Sequence, residues 1–141
     1  MTQQDKSNYF KGLLILIGKD RKISEQERII LCQVAKILGF NKEFCDNAIS
    51  ELLDNEYIIE SPLEFSNLEI AKSFVIDGIR IAFSDKEIHI FELNWLKSVS
   101  EKNSIDKEWC IQKYNDNQSS KHESEKFQIE IFLESEDQTV S

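Results

Sequence analysis

The sequence predicts an all-α fold, a single-domain helical bundle built from two pseudo-symmetric halves and followed by a flexible C-terminal tail. Three observations lead to this prediction. One stretch of the chain occurs twice, apolar residues recur at helical spacing over long segments, and residues that break helices are scarce, with one Pro and four Gly in 141 residues. This length suits one domain that buries a substantial core.

The repeated stretch has the form Asp-x-x-Ile-x-x-x-Glu and lies at residues 20–27 and 85–92. With the chain aligned to itself at an offset of 65 residues, 8 of the 26 positions from 20 to 45 are identical. A period of this length exceeds that of solenoid repeats, so we expect two halves that pack face to face. The identical pairs are Asp20/Asp85, Ile23/Ile88, Glu27/Glu92, Leu31/Leu96, Val34/Val99, Lys42/Lys107, Glu43/Glu108 and Cys45/Cys110.

The domain is predicted to span residues 1–114, with its first half at about 8–54. Residues 1–7 are polar and are expected to fray, and a first helix should run from about Asn8 to Gly18. Ser24-x-x-Glu27 has the form of a capping box, which predicts a second helix ending near Gly39. Asn41 is predicted to cap a third helix that fades at Asp54. The inward residues expected on this third helix are Phe44, Cys45, Ala48, Ile49 and Leu52.

The second half is predicted at about 67–114, after a connector at 56–66 that contains Pro62, a residue that disfavours helix before it. A helix should begin after Asn67, and His89 takes the capping position that Ser24 holds in the first half. Asp106 is predicted to cap the last helix of this half. The inward residues expected on the helix after Asn67 are Leu68, Ala71, Val75, Ile79 and Ala82.

The C-terminal segment 115–141 is acidic, carrying seven acidic residues and two lysines. Residues 115–126 have the composition of a linker. Apolar residues occupy every second position from 127 to 133, a pattern that favours an extended strand. These residues are Phe127, Ile129, Ile131 and Leu133. We expect a flexible or loosely docked tail. The alternatives are a segment that pairs with a partner as a strand and a segment that folds back on the body.

Charge and cysteine usage restrict the classes of function. A net charge of −9 without a basic stripe argues against nucleic-acid binding and against docking on anionic membranes. Cys32, Cys45 and Cys110 are odd in number and form no Cys-x-x-Cys motif, so we expect three reduced, mostly buried thiols in a cytoplasmic protein. The apolar run at 13–17 is too short to span a bilayer.

Three interpretations of the doubled motif remain open. In the first, the carboxylates serve the fold alone, with the Asp bonding amides of the turn and the Glu capping the helix that follows. In the second, they supply oxygen ligands to a divalent cation such as calcium, although the earlier EF-hand ligand positions would be Leu16 and Gly18. The third interpretation is catalysis by paired carboxylates, which no neighbouring nucleophile, phosphate-binding loop or zinc spacing accompanies.

The doubled motif, its place between helices and the stretch from Val75 to Asp85 resemble the TerB-like superfamily, which includes the tellurite-resistance protein TerB and the N-terminal domain of the co-chaperone DjlA. That superfamily carries an Ala-x-Ala-Asp-Gly-x-Ile-x-x-x-Glu signature after a helix. The matching segments here are 82–92 and 18–27, and the resemblance covers about residues 8–114. Arg21 and Lys86 stand where the signature has glycine.

The resemblance implies a fold of about seven helices and a non-enzymatic role as a protein-binding module in stress-response or defence complexes, often near the membrane. It also implies that acidic residues of the motif bind a divalent cation. By position, the metal ligands would be Asp20, Glu27, Asp85 and Glu92. No catalytic residue and no other cofactor is implied, and neither the protein partner nor the oligomeric state is specified.

Overall fold

The computed structural model describes residues 1–18, 23–54, 63–83, 90–119 and 126–139. Within these ranges the chain is all-α, as predicted, and no strand occurs. Seven helices form one bundle, a number that agrees with the expectation from the resemblance. They are α1 (Gln3–Ile17), α2 (Glu25–Ile37), α3 (Lys42–Asp54), α4 (Leu68–Ala82), α5 (Ile90–Lys102), α6 (Lys107–Ser119) and α7 (Gln128–Thr139).

The internal repeat is visible in the helix boundaries. Helices α4, α5 and α6 each begin and end 65 residues after α1, α2 and α3. The identical pairs Leu31/Leu96, Val34/Val99 and Cys45/Cys110 are all fully buried. The sequence repeat therefore corresponds to a structural repeat of three helices, and α7 is the one described helix without a counterpart.

The predicted helix caps are confirmed wherever the structure describes them. The Ser24 hydroxyl accepts from the Glu27 amide at 3.1 Å, and a Glu27 carboxylate oxygen accepts from the Ser24 amide at 3.0 Å. Asn41 and Asp106 accept from amides in the first turns of α3 and α6. Asn67, where a helix was expected to begin, caps α4 in the same way. These bonds satisfy donors that a helix N-terminus leaves without an intrahelical partner. His89 lies outside the described residues.

Helix α4 lies at the centre of the bundle. It packs against α1, α2, α5, α6 and α7. Ten of its fifteen residues are buried, as expected for a helix that contacts five others. The α1 helix lies beside it, and the buried indole of Trp95 in α5 donates to the carbonyl oxygen of Gly12 in α1 at 3.1 Å.

The N-terminus differs from the prediction. Residues 1–7 were expected to fray, but α1 begins at Gln3 because Thr2 and Asp5 form a second capping box. Asp5 is buried and also accepts from the backbone amide of Ser66 at 2.9 Å. The α-ammonium group of Met1 pairs with Glu136 of α7 at 2.7 Å. The Thr2-x-x-Asp5 spacing was a signal for this helix start.

The C-terminal segment also differs from the prediction. Residues 115–119 continue α6 rather than starting a linker, and the strand expected at 127–133 is wrong, since 128–139 form α7. Phe127 and Ile129 are buried, and α7 packs on α4. Of the interpretations considered for this segment, the structure shows folding back on the body. Apolar alternation over a few residues cannot distinguish a strand from a helix that buries one face.

Two inward predictions are wrong. Phe44 is 43% exposed and Leu68 is 45% exposed. Both residues lie in the first turn of their helices, and each is the first residue of its predicted apolar stripe. In the described part of the chain, no helix is both long and apolar enough to cross a membrane.

Candidate functional site

The motif residues predicted as metal ligands are described only in part. Glu27 and Glu92 occupy equivalent positions in the first turns of α2 and α5, and both are buried. Asp20 and Asp85 lie outside the described residues. Within the described ranges, no group of three His, Cys, Asp or Glu side chains is close enough to hold a metal ion. The structure therefore does not bring the four predicted ligands together or separate them.

The described contacts of Glu27 fit the interpretation as a cap. One of its carboxylate oxygens accepts from the Ser24 amide, and its own amide donates to the Ser24 hydroxyl. A carboxylate in the first turn also interacts favourably with the positive end of the helix dipole. Glu27 thus has a structural role, whatever else the motif binds.

A groove lies between α2 and α3 and is lined by both apolar and charged side chains. It encloses about 720 Å³. Ile29 in α2 lines it and is 49% exposed, Cys32 forms part of its wall, and Phe40 lies at the end where α2 turns into α3. The Phe40 ring stacks on Phe44 with ring centroids 4.5 Å apart. Exposed aliphatic and aromatic carbon therefore borders the groove.

The groove is basic in an acidic protein. Arg28 pairs with Asp46 across it at 3.1 Å. Lys36 and Lys42 also line it, and neither forms an ion pair with any carboxylate of the described residues. With Glu25 as the other acidic lining residue, the groove carries a formal charge of +1, whereas the whole chain carries −9. Lys36 and Lys42 are therefore available to pair with negatively charged groups of a ligand.

The two halves of the repeat differ at several positions of the groove. The buried pairs Leu31/Leu96, Val34/Val99 and Cys45/Cys110 are kept, and among the groove residues Lys42 is kept as Lys107. At the offset of 65 residues the replacements are Ile29 by Asn94, Cys32 by Lys97, Lys36 by Glu101 and Asp46 by Ile111. The fold does not require Ile29, Cys32, Lys36 or Asp46, since the corresponding helices of the other half form without them. Sequence reasoning missed this site, although these differences were visible in the self-alignment.

Two cysteines meet beneath the groove. The Sγ atoms of Cys32 in α2 and Cys45 in α3 lie 2.8 Å apart, and both thiols are free. Cys32 is partly exposed in the groove wall, while Cys45 is fully buried. Burial, together with the Cys32 thiol beside it, raises the pKa of Cys45 to about 12. The expectation of buried, reduced thiols did not include this proximity.

A buried carboxylate joins α1, α4 and α7. Asp77 in α4 is 1% exposed and accepts from the Tyr9 hydroxyl at 2.6 Å. It also accepts from the amides of Gln128 and Ile129 at 2.7 and 3.0 Å, so it caps α7 from another helix. Burial raises the pKa of Asp77 to about 6, although these bonds and the nearby Arg80 favour its charged form. This arrangement accounts for the docking of α7.

Comparison of the chain with protein-family models, with curated proteins and with solved structures gave no match, so the assignment to a family stays a proposal.

Proposed function

We propose that the chain is a non-enzymatic, cytoplasmic protein-interaction module of the TerB-like type, and that the groove between α2 and α3 binds its partner. The observation that carries the proposal is the groove itself. Exposed Ile29 and the Phe40–Phe44 stack stand beside two lysines without ion-pair partners in the described residues. Supporting the TerB-like part are the seven helices and the motif placed before the second helix of each half.

The chemistry of the groove defines the partner. A segment that carries apolar side chains flanked by carboxylates would bury those side chains on Ile29 and Phe40. Its carboxylates would pair with Lys36 and Lys42 at the rim. An amphipathic helix laid in a groove is a recurrent form of such recognition. The partner we propose is therefore an acidic, amphipathic segment of another protein, acting in a stress-response or defence complex.

The proposal can be tested with defined peptides and fluorescence anisotropy. The probe is a labelled synthetic helix with Leu on one face and Glu on the other, and the comparison peptide carries Lys in place of Glu. We expect the acidic peptide to bind more tightly, and Ile29→Asp or Lys42→Glu to weaken its binding by about tenfold or more. Equal affinity for the two peptides would contradict the proposal.

The repeat offers matched controls for these variants. Lys107 occupies the position of Lys42 in the second half and is exposed in a loose ion pair with Glu101, so Lys107→Glu makes the same charge change at a residue that does not line the groove. Ile111 on α6 is 39% exposed, so Ile111→Asp adds the same carboxylate outside the groove. Both control variants should leave peptide affinity unchanged. Equal weakening by the groove variants and their controls would mean that the peptide responds only to net charge.

A further inference from the structure

Cys32 and Cys45 have complementary environments. Cys32 lines a groove of about 720 Å³, large enough to admit a small disulfide compound. Cys45 is fully buried, and its side chain lies inside the core. Their Sγ atoms are 2.8 Å apart although the residues are 13 positions apart in the sequence, on separate helices. An accessible thiol thus lies in contact with a buried one.

We propose that Cys32 and Cys45 form a reversible intramolecular disulfide by exchange with a low-molecular-weight disulfide compound that enters the groove. Cys32 is the attacking thiol and Cys45 is the resolving thiol. This assignment follows from exposure, since the compound can reach the sulfur of Cys32 from the groove and cannot reach that of Cys45.

The exchange proceeds in two steps that balance. The Cys32 thiolate attacks one sulfur of the compound, its S–S bond breaks, and a mixed disulfide on Cys32 forms as the first small thiolate leaves. The Cys45 thiolate then attacks the Cys32 sulfur, and the second small thiolate leaves. The two protons from the protein thiols end on the two small thiols. The protein pair is oxidised by two electrons, and the compound is reduced by two.

The second half of the repeat lacks this pair. Cys110 corresponds to Cys45 and is equally buried, but Lys97 stands where Cys32 would be. Since the fold is maintained there without a second cysteine, packing does not demand Cys32. Cys110 therefore serves as an internal reference, a buried thiol without a thiol neighbour in the described residues.

The test treats the full-length protein with oxidised glutathione, followed by thiol counting, intact mass and peptide mapping without reduction. We expect the free thiols to fall from the three of the sequence to one, with Cys32 and Cys45 joined and no glutathione retained. Cys110→Ser should form the same link. The reaction of Cys45→Ser should stop at the mixed disulfide between Cys32 and glutathione. In Cys32→Ser, neither Cys45 nor Cys110 should react.

The resolving step has its own signature. Because burial raises the pKa of Cys45, its thiolate is rare near neutral pH, and release of the second glutathione should accelerate between about pH 7 and 10. Retention of glutathione on the wild-type chain, a link through Cys110, covalent dimers, or no reaction would each overturn the proposal. The mapping uses the wild-type protein, so the result stands even where a variant fails to fold.

Discussion

The hydroxyl of Tyr9 donates a hydrogen bond of 2.6 Å to the carboxylate of Asp77, inside the core and across 68 positions of sequence. The same carboxylate accepts from two amides at the start of α7. Arg80 stacks over the ring of Phe127 nearby, with 4.2 Å between the guanidinium carbon and the ring centroid. One buried acidic residue therefore connects the first helix, the central helix and the last one.

Tyr9→Phe should destabilise the protein by about 1–3 kcal/mol, because it keeps the ring and removes one donor from a buried charged acceptor. The ring contacts of Tyr9 with Phe65 and Phe74 would remain. Denaturant unfolding monitored by circular dichroism measures the change. Ser98→Ala removes an exposed hydroxyl that donates to the Asn94 carbonyl oxygen, and it should cost much less. Equal effects of the two variants would argue against a special role for the buried bond.

The titration of Asp77 should lower the free energy of unfolding as the pH rises from about 4 to about 6. Its pKa is raised from 3.8 to about 6 in the folded protein, so the native state holds the proton over this range and the unfolded state does not. The contribution is fully present below the unfolded pKa and is lost as pH rises through the folded pKa, up to about 3 kcal/mol in all. Asp77→Asn should lack this component of the pH dependence.

Asp5 provides a control of opposite sign for that experiment. Burial alone would raise its pKa, but hydrogen bonds from Ser66 and Thr2 outweigh burial and lower it. Its contribution is present above the ordinary pKa of 3.8 and is lost as pH falls through the folded value. Unfolding free energies of Asp5→Asn and Asp77→Asn, measured against pH, should therefore diverge from wild type in opposite directions. Parallel curves would show that the two carboxylates do not differ in this way.

Gly39 and Ser104 occupy equivalent positions after α2 and α5, and both have left-handed backbone, with φ of 94° and 61°. Because a side chain disfavours that conformation, Ser104→Gly should stabilise the protein by about 0.5 kcal/mol. Gly39→Ala should destabilise it by about 1 kcal/mol. A Cβ at Gly39 would meet no atom within 4 Å, so the cost there is one of backbone alone. Thermal unfolding of the two variants measures both, and changes of the same sign would contradict the argument.

Calcium binding at the doubled motif stays a prediction, because Asp20 and Asp85 lie outside the described residues. If the four carboxylates of Asp20, Glu27, Asp85 and Glu92 hold a divalent cation, millimolar calcium should raise the melting temperature by binding the native state. Asp20→Asn combined with Asp85→Asn should abolish the rise while leaving the Ser24–Glu27 cap intact. A melting curve that calcium leaves unchanged would favour the interpretation of the motif as caps.

Local patterns in the sequence determined the six helices of the repeat, their described caps and their doubling. Capping residues such as Ser24 and Asn67 act on amides three positions away, so their effect can be read without knowing the fold. The repeat was detectable because buried positions such as Leu31 and Leu96 keep the same residue when both halves pack alike. The capping box of Thr2 and Asp5 had an equally local signal in the sequence. The prediction that the N-terminus frays was wrong because this signal was overlooked.

Tertiary structure alone decided the features that join distant parts of the chain. The helix at 128–139 is capped by the Asp77 carboxylate, which lies about fifty positions earlier in the sequence. The exposure of Phe44, the groove beside Ile29 and the contact between Cys32 and Cys45 depend on how α2 and α3 are placed against each other. Such contacts are set by packing between elements, and the periodicity of a single helix carries no information about them.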